Sequence, residues 1–181
     1  MARNGDRAIG ESDADPLRSI PDATPADESL PALPRGAGSY DDVGAVARTS
    51  DGLTTAVSSR GFTLVADEPR SVGGAEAGPT PYDYLAAGLA ACTSMSLRMY
   101  ADRKQLPLTD VTTTVTFDRV HADDCADCDH ADGRIERFTR VVTLHGELDR
   151  PTRDQLLSIA DRCPVHRTLE GQIEVDTVEG R

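Results

Sequence analysis

Residues 80–104, TPYDYLAAGLAACTSMSLRMYADRK, constrain this chain more than any other stretch: they read as one long helix with a cysteine at its middle. Thr80 is a good N-cap, and Pro81 falls at the first helical position, where its missing N–H costs nothing. Asp83, three residues after Thr80, matches the acidic member of a capping box. Leu85, Leu89, Cys92, Met95 and Met99 recur at spacings of 4, 3, 3 and 4, one face of an α-helix. Ala86, Ala87, Gly88, Ala90 and Ala91 leave the other faces small enough for a second backbone to approach. Arg103 and Lys104 place positive charge at the far end, and Pro107 stops further extension. At ~1.5 Å per residue the helix runs for more than ~30 Å. Cys92 lies on the apolar stripe, so it either packs or reacts.

The flanking sequence predicts β-structure on both sides of this helix. VGAVAR and LTTAVSS flank Asp51-Gly52, a hairpin-turn signal, and FTLVAD follows at 62–67. A Gly- and Pro-punctuated loop at 68–79 leads into the helix. Beyond it, 111–120 alternates β-branched and polar residues as a half-buried strand does, and 134–148 reads as a second strand, bent or bulged in its middle. A helix is expected at 151–162, with Leu156, Leu157, Ile159 and Ala160 available to the core. A short helix, PVHRTLE, runs from there to Gly171, and QIEVDTV at 172–178 reads as a last strand. Strands, a long helix, strands, helices and a strand in that order indicate an α+β domain at 43–178. Residues 1–42 mix Asp, Glu, Pro, Ser and Gly without either hydrophobic period, which predicts a disordered, solvated tail.

The net charge of −12 argues against nucleic-acid or anionic-membrane partners. No run approaches the ~18 apolar residues of a membrane span. No apolar segment follows the early arginines, so no secretory signal is expected and the cytoplasm is the expected compartment. In a reducing compartment, four cysteines suggest catalysis or metal binding more than structural staples.

On spacing alone Cys92 reads as a small hydrophobe. As a nucleophile it would need a nearby cation, because a mid-helix residue gains little from the helix dipole. Cys163 sits where one helix ends and a Pro-initiated helix begins, so it can serve as an N-cap, with backbone N–H groups available to a thiolate. Either thiol alone is ambiguous, but two thiols on two helices can form a disulfide if packing brings them together. His121, Cys125, Cys128 and His130 make a third constellation, H-x3-C-x2-C-x-H. It reads as an acidic exposed loop, a metal site or an auxiliary redox pair.

The run GPTPYDYLAAGLAACTSMSLRMYADRK, the later ADRCPVHRTLE and the DEP…GG…GP-P-Y-D pattern from Asp67 to Asp83 resemble the signature segments of the OsmC/Ohr family, the osmotically inducible and organic hydroperoxide resistance proteins. The resemblance covers roughly 43–178. It implies antiparallel sheets around long central helices in an intertwined homodimer, and thiol-dependent reduction of organic hydroperoxides without a bound cofactor. By position Cys92 would be the peroxidatic cysteine and Cys163 the resolving one, with an external dithiol, such as a lipoyl protein, restoring both. Arg48, just before the Asp51-Gly52 turn, is the positional match for an activating arginine; Arg60 and Arg103 are the competitors. The family's peroxidases carry a glutamate directly after the helix-start proline, where this chain has Tyr82 and then Asp83. Asp83 lies nine residues before Cys92, about 13.5 Å along the same helix, so only a partner subunit could bring it to that sulfur. A redox-sensing or metal-binding module with little peroxidase activity is the alternative.

Overall fold

The computed structural model describes residues 44–121 and 134–179. Helix α1 spans Pro81–Lys104 and begins as its sequence dictates: Asp83 N–H donates to Thr80 Oγ1 at 3.2 Å, and Asp83 Oδ2 accepts the Thr80 N–H at 2.8 Å. Gln105 ends it in the left-handed region, at φ 53°.

The face that α1 buries differs from the expected stripe. Leu89, Thr93, Leu97 and Ala101, a 4-4-4 ridge, are buried, whereas Leu85, Met95 and Met99 are exposed, the last at 71%. The two stripes share Leu89 and then diverge. Ala101 is small enough to let other elements close in, so the ridge packs deeper than the larger methionines could. Leu97 and Ala101 join Leu108, Leu144, Leu156 and Ala160 in the core.

Strands β4 (Leu108–His121) and β5 (Arg134–Gly146) form an antiparallel ribbon against α1. Side chains alternate along it: Val111, Thr113, Val115 and Phe117 are partly buried, and the residues between them are exposed. The irregularity expected in the middle of β5 lies instead in β4. Leu108 faces Gly146 and Asp110 faces His145, so Thr109 is the extra residue. Helix α2 (Arg150–Ala160) is capped by Asp149, whose side chain accepts the Thr152 N–H at 2.9 Å, and buries Leu156 and Ala160 while Leu157 stays exposed. Helix α3 (Pro164–Glu170) follows and buries none of its own residues.

Before α1, β1 (Val46–Thr49), β2 (Thr55–Ser59) and β3 (Phe62–Ala66) form a second antiparallel sheet in the order β1-β2-β3. Arg60 and Gly61, at φ 51° and 86°, make the two-residue turn between β2 and β3. The loop from β3 to α1 is built on Asp67, which is 2% exposed. Its carboxylate accepts the Thr54 hydroxyl and the N–H groups of Glu68, Ala75 and Ala77 at 2.8–3.2 Å. Gly74 passes so close to the Glu68 carbonyl that a Cβ would lie 1.8 Å from its oxygen, so no larger residue fits. The DEP…GG pattern is therefore a loop-closing device.

The architecture is α+β, as expected, with three α-helices and two antiparallel sheets among the described residues. The strand expected at 172–178 is not formed. Neither sheet includes it among the described residues, and Ile173, Val175 and Val178 are 58–87% exposed. Its alternation suits a ladder, but a strand requires a neighbouring edge to bond to, and among the described residues no strand pairs with it. The expected tail at 1–42 lies outside the described residues. No described helix is long and apolar enough to cross a membrane.

Candidate functional site

Helix α3 begins at the other cysteine. Cys163 is fully buried and caps α3, its Sγ accepting the His166 N–H at 3.3 Å. Pro164 has no N–H to offer, and the N–H of Val165 is hydrogen-bonded to Cys92, half-buried on α1. The first turn of α3 thus gives one amide to each sulfur, at the positive end of a helix. The two thiols are neighbours that act directly on each other.

A buried polar cluster holds Cys163 from the other side. Thr93, adjacent in sequence to Cys92, is fully buried, and its Oγ1 lies 3.6 Å from Cys163 Sγ. The Thr93 hydroxyl donates to Leu89 O at 2.8 Å. A hydroxyl has one proton, so in the contact with Cys163 the S–H donates and Thr93 accepts. Arg140 reaches the same oxygen from β5: Nη1 donates to Thr93 Oγ1 at 3.2 Å and to Ala160 O at 3.0 Å, and Nη2 to Asp161 Oδ1 at 2.6 Å. The Arg140 side chain is only 12% exposed. Its charge lies at the C-terminal end of α2, where a cation is favoured.

Burial pushes the Cys92 thiol up from its ordinary value, and the adjacent Cys163 thiol adds to the rise; the Val165 N–H and the Ser96 side chain pull the other way. Within a single chain Cys92 is therefore held as a thiol, placed to meet a partner sulfur but not yet activated.

Of the residues singled out in the sequence, Cys92 and Cys163 are brought together. Arg48 stands exposed on β1 opposite Ala56, and among the described residues no hydrogen bond or ion pair joins it to either cysteine. Arg60 is a turn residue, and Arg103 lies over the Tyr100 ring at 5.5 Å. Asp83 is committed to the helix cap. Tyr82 stacks on Phe117 with ring centroids 4.4 Å apart and donates its hydroxyl to Glu136 at 3.2 Å, which makes it a bridge between α1 and the ribbon. Cys125, Cys128 and His130 lie outside the described residues, and His121 is placed only as the last residue of β4.

Sequence reading missed Arg140. The signal is present: Phe138, Arg140, Val142 and Leu144 alternate toward the helices, so an arginine occupies an inward position of a strand. A buried arginine needs partners, and here they surround the second cysteine.

The family described as OsmC-like protein matches residues 73–178. No curated protein matches the sequence. Solved structures share the fold. An organic hydroperoxide resistance protein OsmC from Legionella pneumophila is 23% identical over 71% of this chain and 89% of its own, with a TM-score of 0.56. An organic hydroperoxide resistance protein from Elizabethkingia anophelis is 19% identical over 76% and 94%, with a TM-score of 0.57. The organic hydroperoxide resistance protein OhrB of Bacillus subtilis is 22% identical over 71% and 90%, with a TM-score of 0.52.

Proposed function

The chain belongs to the OsmC-like protein family, whose match covers more than half of it, and on that premise we propose that it is a thiol-dependent peroxidase acting on organic hydroperoxides. The observation that carries this reading is the half-buried Cys92 beside a fully buried Cys163. An accessible thiol next to a protected one is the arrangement that a two-step reduction needs. In the first step the Cys92 thiolate attacks the peroxide O–O bond. The sulfur takes up one oxygen and becomes sulfenic acid, while the other oxygen leaves as the alcohol after accepting a proton. In the second, Cys163 sulfur bonds to Cys92 sulfur, and the sulfenic oxygen leaves as water with the Cys163 proton. An external dithiol then reduces the disulfide by exchange, returning both thiols and itself becoming oxidised.

Activation comes from outside the single chain. The exposed apolar face of α1 (Leu85, Met95, Met99) continues the stripe that carries Cys92, and Phe62 on β3 is 55% exposed. Several large apolar side chains exposed on one helix face are characteristic of an interface. A homodimer formed there would cover these residues, and Arg48 of the second copy would supply the cation that stabilises the Cys92 thiolate. The same apolar stripe gives an organic peroxide a surface to bind.

A redox-sensing role is the second reading, and the raised Cys92 thiol favours it: a slowly oxidised cysteine with a buried partner can register peroxide without efficient turnover. Turnover separates the two. The purified protein should consume cumene hydroperoxide in the presence of a dithiol over many cycles, and Cys92→Ser should abolish consumption. Intact turnover in Cys92→Ser would sink the mechanism; a single stoichiometric oxidation without turnover selects the sensor.

A further inference from the structure

Helix α3 buries none of its own residues. The position of Cys163, which caps it, must therefore be fixed from the α2–α3 junction and from α1. Among the described hydrogen bonds one side chain spans those parts. Arg140 Nη1 binds Thr93 Oγ1 on α1 and Ala160 O at the end of α2, and Nη2 binds Asp161 at the junction itself. The anchor of this guanidinium is the β4–β5 ribbon, which packs on α1. Thr93 is the atom-level link to the thiol. With its own proton on Leu89 O, its oxygen accepts from both Arg140 and Cys163.

We propose that Arg140 is a positioning residue for disulfide formation: acting through Thr93 and the end of α2, it holds the Cys163 thiol beside Cys92. The inference rests on the peroxidase reading and assigns Arg140 to its second step alone. In that step the Cys163 S–H, held on Thr93, gives up its proton to the departing sulfenic oxygen, the S–S bond forms and water leaves. Arg140 contributes no electrons or protons; it narrows the positions that Cys163 can occupy. Misplacing a reacting group by about an ångström is enough to slow an intramolecular step of this kind by up to about two orders of magnitude. A resolving thiol that arrives late leaves the sulfenic acid open to a second peroxide, which carries it on to sulfinic acid.

The test separates the two steps in the full chain. Sulfenic acid at Cys92 is trapped with dimedone, and the disulfide and sulfinic acid are quantified by mass spectrometry after a pulse of cumene hydroperoxide. Arg140→Met should form the sulfenic acid at the rate of the unaltered protein. It should close the disulfide at least about tenfold more slowly and accumulate Cys92 sulfinic acid. Arg140→Lys, which keeps a charged donor, should recover part of the closure rate. A general loss of structure would instead slow both steps and would not be relieved by lysine. Thr93→Val removes only the oxygen between Arg140 and Cys163 and carries the same expectation if Arg140→Met does not fold. Closure as fast as in the unaltered protein in whichever of the two variants folds overturns the inference. Absence of both sulfenic acid at Cys92 and the Cys92–Cys163 disulfide in the unaltered protein after the pulse overturns the peroxidase reading, and this inference with it. A sulfenic acid that forms normally and closes normally in the variants overturns the inference alone.

Discussion

Asp67 Oδ2 accepts the Thr54 hydroxyl at 2.9 Å, tying the start of β2 to the loop that leads into α1. The same carboxylate takes three backbone N–H groups, from Glu68, Ala75 and Ala77. The N–H of Glu68 contributes most to holding this carboxyl below the usual carboxylate range, against burial, which acts the other way. A depressed folded-state value means that Asp67 stabilises the fold above its unfolded value of about 3.9. That contribution is lost as pH falls through the lower folded value. Thermal melts between pH 7 and pH 2 should show the midpoint of the unaltered protein falling at the acid end. Asp67→Asn should start lower at pH 7 and fall less. Parallel curves would remove Asp67 as the acid-labile element.

Cys92 reactivity should report on the second subunit. Burial raises the thiol, so without a nearby cation its alkylation by iodoacetamide should accelerate only above the ~8.5 of an ordinary cysteine. If Arg48 of a second copy lies against it, the thiolate is favoured and the pH midpoint of the alkylation rate moves down. Arg48→Ala should move it back up, with Cys125, Cys128 and Cys163 replaced by serine to keep one reporter. Coincident profiles for the two proteins would eliminate Arg48 and leave the activating cation to be found elsewhere.

The exposed side of α1 should be an association surface. Met95 is 65% exposed although it lies on an apolar stripe. Met95→Glu would place two charges in a symmetric interface, a cost of several kcal/mol. Sedimentation equilibrium should show a dimer for the unaltered protein and a monomer for the variant at micromolar concentration. A variant that stays dimeric moves the interface off this face.

Leu156 is fully buried where α2 meets α1 and the ribbon. Leu156→Ala should lower the stability by about 2–5 kcal/mol, read as a reduced denaturation midpoint at unchanged slope. Leu157→Ala, one residue on and 42% exposed, should cost far less. Equal losses would mean that α2 is rotated relative to its described packing.

The two positions separate what can be read locally from what cannot. Both leucines are apolar and adjacent, and a sequence pattern admits either to the core; which one is buried depends on the rotation of α2 against α1. The same holds on α1, where Met95 and Met99 fit the apolar period as well as Leu97 does, yet only Leu97 is inside. Arg140 was legible as an inward arginine on an alternating strand, but its partners, Thr93, Ala160 and Asp161, come from residues 20 to 47 positions away in the chain.

By itself the sequence determined what depends on neighbours in the chain. The cap at Thr80, Pro81 and Asp83, the Pro-initiated α3 behind Cys163, the glycine-bearing turns and the order of strands and helices as far as α3 are all set by backbone geometry over a few residues. Two thiols on two helices made a disulfide possible to consider, and the family resemblance marked Cys92 and Cys163 as the pair to test. Tertiary structure decided the rest: that Cys92 and Cys163 share the first turn of one short helix, that Thr93 and Arg140 hold the buried sulfur, and that Asp83 is consumed by its cap. It also left 172–179 without a strand partner among the described residues. These outcomes depend on which surfaces meet when helices pack on a ribbon, and packing energy is summed over contacts far apart in sequence.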